Sequence, residues 1–304
     1  MSKIHKAVLS KEVIDNLDIQ KNNWYIDATF GRGGHSKSIL DKGGKVLAFD
    51  IDQDAIEFAE KNFNQYIENK QFQIVRENFA NMKQIVDQLK KEGRIDEISG
   101  ILFDFGTSTD QLKSASRGFS FEHPDQELDM RMDDRLTVKA KDLLAVMSQE
   151  QLKKIFQVYG GEYQAKSIAK KIVNERKQGK TIKTGQELIN IIKSIKQRKA
   201  SKLHPATKVF QALRIAVNDE LNVIKKALKD SLKIIEEGGK IVTISFHEGE
   251  DRIVKHQFRE WMQKNIGTQV NKKVITPSEG ELCANPRSRS AKMRIFKYEK
   301  RAHI

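Results

Sequence analysis

The sequence predicts an α/β fold in which a Rossmann-like sheet is interrupted by an all-helical insertion. Three observations point to it. Apolar strand signals alternate with helical stretches at both ends of the 304-residue chain, a glycine-rich loop follows the first strand, and the middle carries helix signals with no strand among them.

Trp24-Tyr25-Ile26-Asp27-Ala28 is a short strand that runs into Gly31-Arg32-Gly33-Gly34-His35. Val46-Leu47-Ala48-Phe49-Asp50 is a second strand ending in an acid, and Asp54 to Phe63 follows as a helix with Ile56, Ala59 and Phe63 on one side. Phe72-Gln73-Ile74-Val75 and Ile101-Leu102-Phe103-Asp104-Phe105 are the third and fourth strands. Strands separated by helices imply parallel pairing with right-handed crossovers. Near residue 135 the character changes. Ser148-Gln149-Glu150-Gln151 and Thr184-Gly185-Gln186-Glu187 have capping-box form, each opening a run with apolar residues at helical spacing. Alternation then resumes. A helix from Asn218 to Glu237 is expected to stop at Gly238-Gly239, followed by a buried strand, Lys240 to Phe246, and a helix, Asp251 to Met262. Lys273-Val274-Ile275 and Lys292 to Phe296 are expected as the closing strands. The domain boundaries that follow are 1–112 with 206–304 for the sheet domain and 113–205 for the inserted one.

Composition bounds the function. A chain that is 38% hydrophobic and 32% charged is a folded, water-compatible one, and no apolar run reaches the eighteen or so residues of a membrane span. Cys283 is the one cysteine, which excludes an internal disulfide and a Cys-rich zinc site. With no apolar stretch in Met1-Ser2-Lys3-Ile4-His5, the expected location is the cytoplasm. The net charge of +14 is unevenly placed. Between Lys139 and Arg214 stand 18 Lys and Arg against 5 Asp and Glu, from totals of 55 and 41. Nearly all the surplus lies in the helical insertion, as a polyanion-binding surface requires; a set of solvated lysine-rich faces is the plainer alternative.

Asp27 to His35 follows a strand and opens a helix. Its glycines let backbone approach a ligand closely, and the helix start offers unpaired N–H groups. Asp50, 19 residues after Gly31 at the next strand tip, is placed to accept from both hydroxyls of a ribose. Loop and acid together indicate an adenosine-containing ligand, either NAD or S-adenosylmethionine. Asp27 at the strand end and a closing antiparallel hairpin favour S-adenosylmethionine, because a dinucleotide fold needs a second mononucleotide-binding half. Phe79, after the third strand, is a candidate to pack on adenine. Asp104, at the tip of the fourth, is placed to address the reacting end of the cofactor and its target amine.

Several longer stretches then occur in order: Arg117-Gly118-Phe119-Ser120-Phe121, Leu128-Asp129-Met130-Arg131-Met132-Asp133, His204-Pro205-Ala206-Thr207, Phe210 to Ile215, Val217 to Leu221, Ile244-Ser245-Phe246-His247 and Asn285 to Lys292. With Asp27 to His35, they closely resemble the bacterial 16S ribosomal RNA cytosine-N4 methyltransferase family, also called the MraW family, from His5 to about Arg294. The resemblance implies a class I methyltransferase sheet with an inserted helical domain, S-adenosylmethionine as cofactor, and methylation of the exocyclic amine of a decoding-centre cytidine in small-subunit RNA. The substrate it implies is the RNA of the assembled 30S particle, with no membrane and no metal involved. Its cofactor contacts carry over onto Gly33, Gly34, His35, Asp50, Phe79, Asp104 and Gln111. Asp104, His247 and Ser245 are the candidate catalytic residues. Arg131, Asn285 and Arg287 are candidates for the base pocket, and Lys193, Lys196 and Arg198 for RNA phosphates. Plainer roles stand beside three of these: an ion pair of Arg131 with Asp129 or Asp133, an Asn-Pro turn at Asn285, and a backbone-bonded strand end at His247. The sequence departs from the family pattern at Thr107-Ser108-Thr109-Asp110, at Glu127, at Glu248-Gly249 and in a shortened stretch between Gln263 and Lys273.

Overall fold

Burial on both faces decides the sheet. In the computed structural model, which describes residues 7–106, 117–120, 123–196 and 204–299, seven strands form one sheet in the order β3-β2-β1-β4-β5-β7-β6. These are β1 Trp24–Asp27, β2 Lys45–Asp50, β3 Phe72–Arg76, β4 Ile98–Asp104, β5 Ile235–Ser245, β6 Gly267–Gln269 and β7 Lys292–Tyr298. The first five pair in parallel and β7 runs antiparallel to both β5 and β6. Alternate side chains enter opposite cores. Trp24, Ile26, Phe49 and Phe103 pack on one face, with Val86 of α5 (Met82–Lys91) and with Val254 and Phe258 of α12 (Glu248–Gln263). Tyr25, Val46, Ala48 and Leu102 pack on the other, with Val13 of α1 (Ser10–Leu17), Ile39 of α2 (Gly34–Asp41), Ala59 of α3 (Gln53–Asn62) and Ile67 of α4 (Asn64–Glu68). Strands covered on both sides are apolar throughout, which is why they were legible.

The chain winds outward from β1 to β3 and then returns to β4 on the other side of β1. The carboxyl ends of β1 and β4 therefore form the switch point at which open α/β sheets bind ligands.

Two expectations are corrected here. Ile275 makes a single bridge to Met293, and the hairpin strand is Gly267–Gln269, paired with Tyr298, Lys297 and Phe296. That strand is short and has no apolar alternation. A Cβ on Gly267 would lie 2.1 Å from the Lys297 carbonyl oxygen, so a glycine serves close approach there and not a turn. The helix expected from Asn218 to Glu237 is shorter at both ends: Asn218 closes the preceding helix, α10 (Thr207–Asn218), and Asp219, whose φ of 49° is left-handed, separates it from α11 (Glu220–Ser231). Ile235 already belongs to β5: it pairs with Ile98 while Lys240 pairs with Gly100, so the residues between bulge out.

Residues Met1–Gly106 with Leu221–Ile304 form one compact unit and Thr107–Glu220 a second. Within the second lie α6 (Ala140–Val146), α7 (Gln149–Val158), α8 (Ala165–Lys177), α9 (Gly185–Ile195) and α10, around Leu144, Leu152, Phe156, Ile168, Ile172, Leu188, Ile192 and Leu213. Helix α10 packs on α6 and α7, which carries the unit past the expected end at 205. Both capping boxes form, Ser148 with Gln151 and Thr184 with Glu187.

Candidate cofactor and catalytic site

The loop after β1 is built by two carboxylates. Asp27 is 1% exposed; it accepts a hydrogen bond from the Ser36 hydroxyl at 2.7 Å and from the Thr29 N–H at 3.2 Å. Burial pushes its pKa up, against the lowering effect of His35, Ser36 and Thr29. Asp50 accepts from the Gly31 N–H at 2.8 Å and the Asp52 N–H at 2.9 Å, which ties the loop to the tip of β2. Burial raises its pKa to about 6 in spite of those two bonds. Gly33 has φ of 70°, and a Cβ there would lie 2.5 Å from Cζ of Phe63. Only glycine takes that conformation in that space. Gly33 is also the cap of α2 and contributes no side-chain acceptor, so first-turn N–H groups of α2 remain for a ligand.

Asp104 ends β4 beside this loop. Its N–H donates to Oγ1 of Thr29 at 2.9 Å. His35, in the first turn of α2 and 5% exposed, brings Nε2 to 3.6 Å from Oδ2 of Asp104, an ion-pair distance too long for a hydrogen bond. Burial alone lowers the imidazole pKa; the carboxylates of Asp104, Asp27 and Glu281 outweigh it and leave the ring above its ordinary value. Among the described residues, neither ring nitrogen of His35 nor Oδ1 of Asp104 has a hydrogen-bond partner. Buried polar atoms left unsatisfied cost about 1–3 kcal/mol each, so three in one place fit a site completed by a polar ligand. Phe79 follows β3 in a tight turn, Phe79–Asn81, fixed by the Asn78 side chain, which accepts from the Ala80 N–H at 2.9 Å. Its half-buried ring lies 5.8 Å from that of Phe103 and 6.3 Å from that of Phe105.

Six of the seven expected cofactor residues thus stand at the carboxyl edge of four adjacent strands; Gln111 lies outside the described residues. Thr29, Ser36 and Glu281 were not expected at the site: Thr29 accepts from the Asp104 N–H, Ser36 donates to Asp27 and the Glu281 carboxylate acts on His35, contacts made by folding that leave no local signal.

Ser245 is the buried last residue of β5, one position past Ile244, which pairs with Asp104. His247, expected to be catalytic, is the N-cap of α12. Its Nδ1 accepts from the N–H groups of Gly249 at 3.0 Å and Glu250 at 3.4 Å, while the Glu250 carboxylate accepts from Phe246 and His247. The proton therefore resides on Nε2, 3.2 Å from Oε1 of Glu250. The ring caps the start of α12 and its basic nitrogen is spent there, while the Glu250 carboxylate holds the chain just past β5. Asn285 closes helix α13 (Glu279–Ala284) and its carbonyl accepts from the Ser288 N–H and hydroxyl, so the Asn-Pro turn is the role observed. Arg287 beside it is exposed.

In the second unit, Arg131 forks onto Asp129 at 2.6 and 2.8 Å and donates to the Leu136 carbonyl. This is the plainer ion-pair role, and Met130 between the two residues is buried with φ of 61°, a strained conformation for a non-glycine residue. Lys193 is exposed. Lys196, expected to face phosphates, instead reaches Oε2 of Glu162 at 2.5 Å and the Pro205 carbonyl at 2.5 Å. Glu162 is 4% exposed, so this lysine neutralises a buried acid. Arg198 lies outside the described residues.

The family model described as the MraW methylase family matches residues 2–299. The chain is 43% identical over 295 residues to the ribosomal RNA small subunit methyltransferase H of Wolbachia sp. subsp. Drosophila simulans (strain wRi), covering 96% of this chain and 98% of that protein. It is 42% identical over 311 residues to the protein of the same name from Clostridioides difficile (strain 630), covering 96% and 97%. A site of this geometry and likeness over nearly the whole length lead to one conclusion: the chain belongs to the MraW methylase family, whose methyl donor is S-adenosylmethionine.

Proposed function

We propose that this protein transfers a methyl group from S-adenosylmethionine to the exocyclic N4 amine of a decoding-centre cytidine in small-subunit (16S) ribosomal RNA, presented in the assembled 30S particle. The observation that carries the proposal is Asp104 at the switch point, with one carboxylate oxygen beside His35 and the other without a partner among the described residues. Both relatives named above are small-subunit ribosomal RNA methyltransferases by name, and the ordered motifs favour the cytidine amine.

Bound S-adenosylmethionine supplies an electrophilic methyl group. Gly33, Gly34 and His35 hold its polar end at the start of α2, Asp50 accepts from the ribose hydroxyls, Phe79 packs on the adenine, and Gln111 completes the set. Asp104 faces the reaction. The cytidine N4 lone pair is delocalised into the ring, so the nitrogen becomes positive as it attacks. Oδ1 of Asp104 accepts an N4–H and stabilises that charge, and Ser245 walls the same edge. His247 acts by capping α12 directly after β5. The base has to leave its stack to reach a site at a sheet edge. The second unit, with the chain's charge surplus, is the part that grips RNA, chiefly through shape and phosphates.

The test is incubation with labelled cofactor and 30S particles, followed by digestion. Label in N4-methylcytidine is expected; label on C5 of cytosine, on adenine or on protein overturns the chemistry.

A second expectation concerns pH. The ribose hydroxyls donate to an ionised Asp50, whose carboxyl titrates at about 6 in the free protein. Because this pKa is raised, the proton-bearing form accumulates as pH falls through 6, and cofactor binding has to expel that proton. Cofactor affinity is expected to drop roughly tenfold between pH 7 and pH 5, since about a tenth of the sites are then ionised. Calorimetry on Asp50→Asn is expected to show weaker binding with that dependence removed; an unchanged pH profile in the variant would take Asp50 out of the site.

A further inference from the structure

Helix α8 in the second unit presents a surface that its own packing does not explain. Ile168, Ala169 and Ile172 are buried, while Lys166, Lys170 and Lys177 are exposed and lie within an arc of about 40° at 100° per residue. None of the three pairs with a carboxylate among the described residues. The other lysines nearby are spoken for: Lys171 and Lys180 both bind Glu175, at 2.9 and 2.7 Å. One turn before Lys166 stands Tyr163, 98% exposed.

The tyrosine is exposed on a fixed backbone. Glu162 beside it is buried, accepts from the Gln164 N–H at 3.0 Å and is bound by Lys196 at 2.5 Å. The Gly161 N–H donates to the Gln157 carbonyl at 3.1 Å, and Lys208 donates to the Gly161 carbonyl at 2.8 Å. The backbone on both sides of Tyr163 is therefore anchored, which fixes where its ring leaves the surface. An exposed aromatic beside a row of unpaired cations is how single-stranded nucleic acid is held: the ring takes a base and the cations take the phosphates of the same strand. Lys166 and Lys170 are about 6 Å apart along the axis, and Lys177 about 10 Å further on.

We infer that Tyr163, Lys166, Lys170 and Lys177 form a subsite for an unpaired stretch of RNA, with a base stacked on Tyr163 and the strand running along α8. The inference rests on the proposal that the second unit grips RNA, and it moves the contact from the end of α9, where Lys196 is bound to Glu162, to the face of α8. Charge favours RNA over protein as the occupant, since the stripe carries three cations and no acid.

The test uses the full-length protein, single-stranded oligoadenylate of about twelve nucleotides, and an abasic chain of the same length. Tyr163→Trp supplies a reporter, because Trp24 and Trp261 are only 2% and 3% exposed. Its fluorescence is expected to be quenched by the oligoadenylate and not by the abasic chain. Tyr163→Ala is expected to weaken oligoadenylate binding roughly tenfold and to leave abasic binding unchanged. Replacing the three lysines with alanine is expected to reduce the slope of log affinity against log salt by about 2 for both chains, at about 0.7 per phosphate contact. All four residues are exposed, so the variants are expected to melt with the wild type. Steep wild-type binding that these variants leave unaltered overturns the stripe and spares the RNA role of the unit. Absence of wild-type binding to oligoadenylate, abasic chain and 16S RNA alike overturns both. Variants that bind RNA normally but lose 30S particles make the occupant a ribosomal protein, which also overturns the inference.

Discussion

Asp104→Asn is expected to lower kcat by about 10²–10³-fold, the loss seen when one preorganised group that stabilises transition-state charge is removed. The substitution keeps the shape of the side chain, so β4 and the Thr29 contact made by the backbone N–H at 2.9 Å should persist. What disappears is a carboxylate at the switch point, where an amine has to become positive. Cofactor affinity should change far less than kcat, because the N–H groups of α2 and the Asp50 carboxylate remain. Single-turnover transfer of labelled methyl to 30S particles, set beside calorimetry of S-adenosylmethionine, separates the two. A variant that loses affinity and keeps its single-turnover rate would make Asp104 a binding residue only. His35 supplies an independent readout. Burial alone lowers its pKa and Asp104 is the largest opposing influence, so the ring should titrate lower in the variant.

The largest stability effect is expected in the second unit. Lys196→Glu would set a second carboxylate against Glu162, which is 4% exposed and bound to Lys196 at 2.5 Å. Breaking a buried pair of this kind costs about 3–5 kcal/mol because the remaining charge has no compensation. Lys193→Glu, three residues earlier on the same helix but exposed, should stay within about 0.5 kcal/mol of the wild type. Hydrogen exchange on α8 and α9 checks both, with cofactor affinity as the control that the first unit is intact. Equal protection in the two variants would show that the Glu162 contact contributes nothing. The contrast also bears on RNA binding: a defect in Lys196→Glu would report unfolding, which is why the α8 stripe is tested with exposed residues only.

The amino-acid sequence by itself determined the five parallel strands, the loop from Asp27 to His35, the acid at Asp50 and the helix starts at Ser148 and Thr184. Each of these is written in neighbouring residues: a strand buried on both faces is an unbroken apolar run, and a capping box spans four positions. Family-specific motifs added the chemistry. Tertiary structure decided what depends on partners distant in the chain. The edge strand Gly267–Gln269 has no pattern of its own and exists because β7 offers it a ladder. The left-handed turn at Asp219 sets the start of α11 two residues later than periodicity places it, and β5 takes up Ile235 where periodicity continues the helix. The sequence leaves two roles open for Arg131 and for His247 and offers Lys196 to phosphates; the folded chain gives them to Asp129, to the amides of α12 and to Glu162. His35 and Asp104 went the other way, from separate motifs to one close pair. A polar side chain's role depends on which charge or dipole the fold sets within about 3 Å of it, and only the folded chain brings that partner into reach.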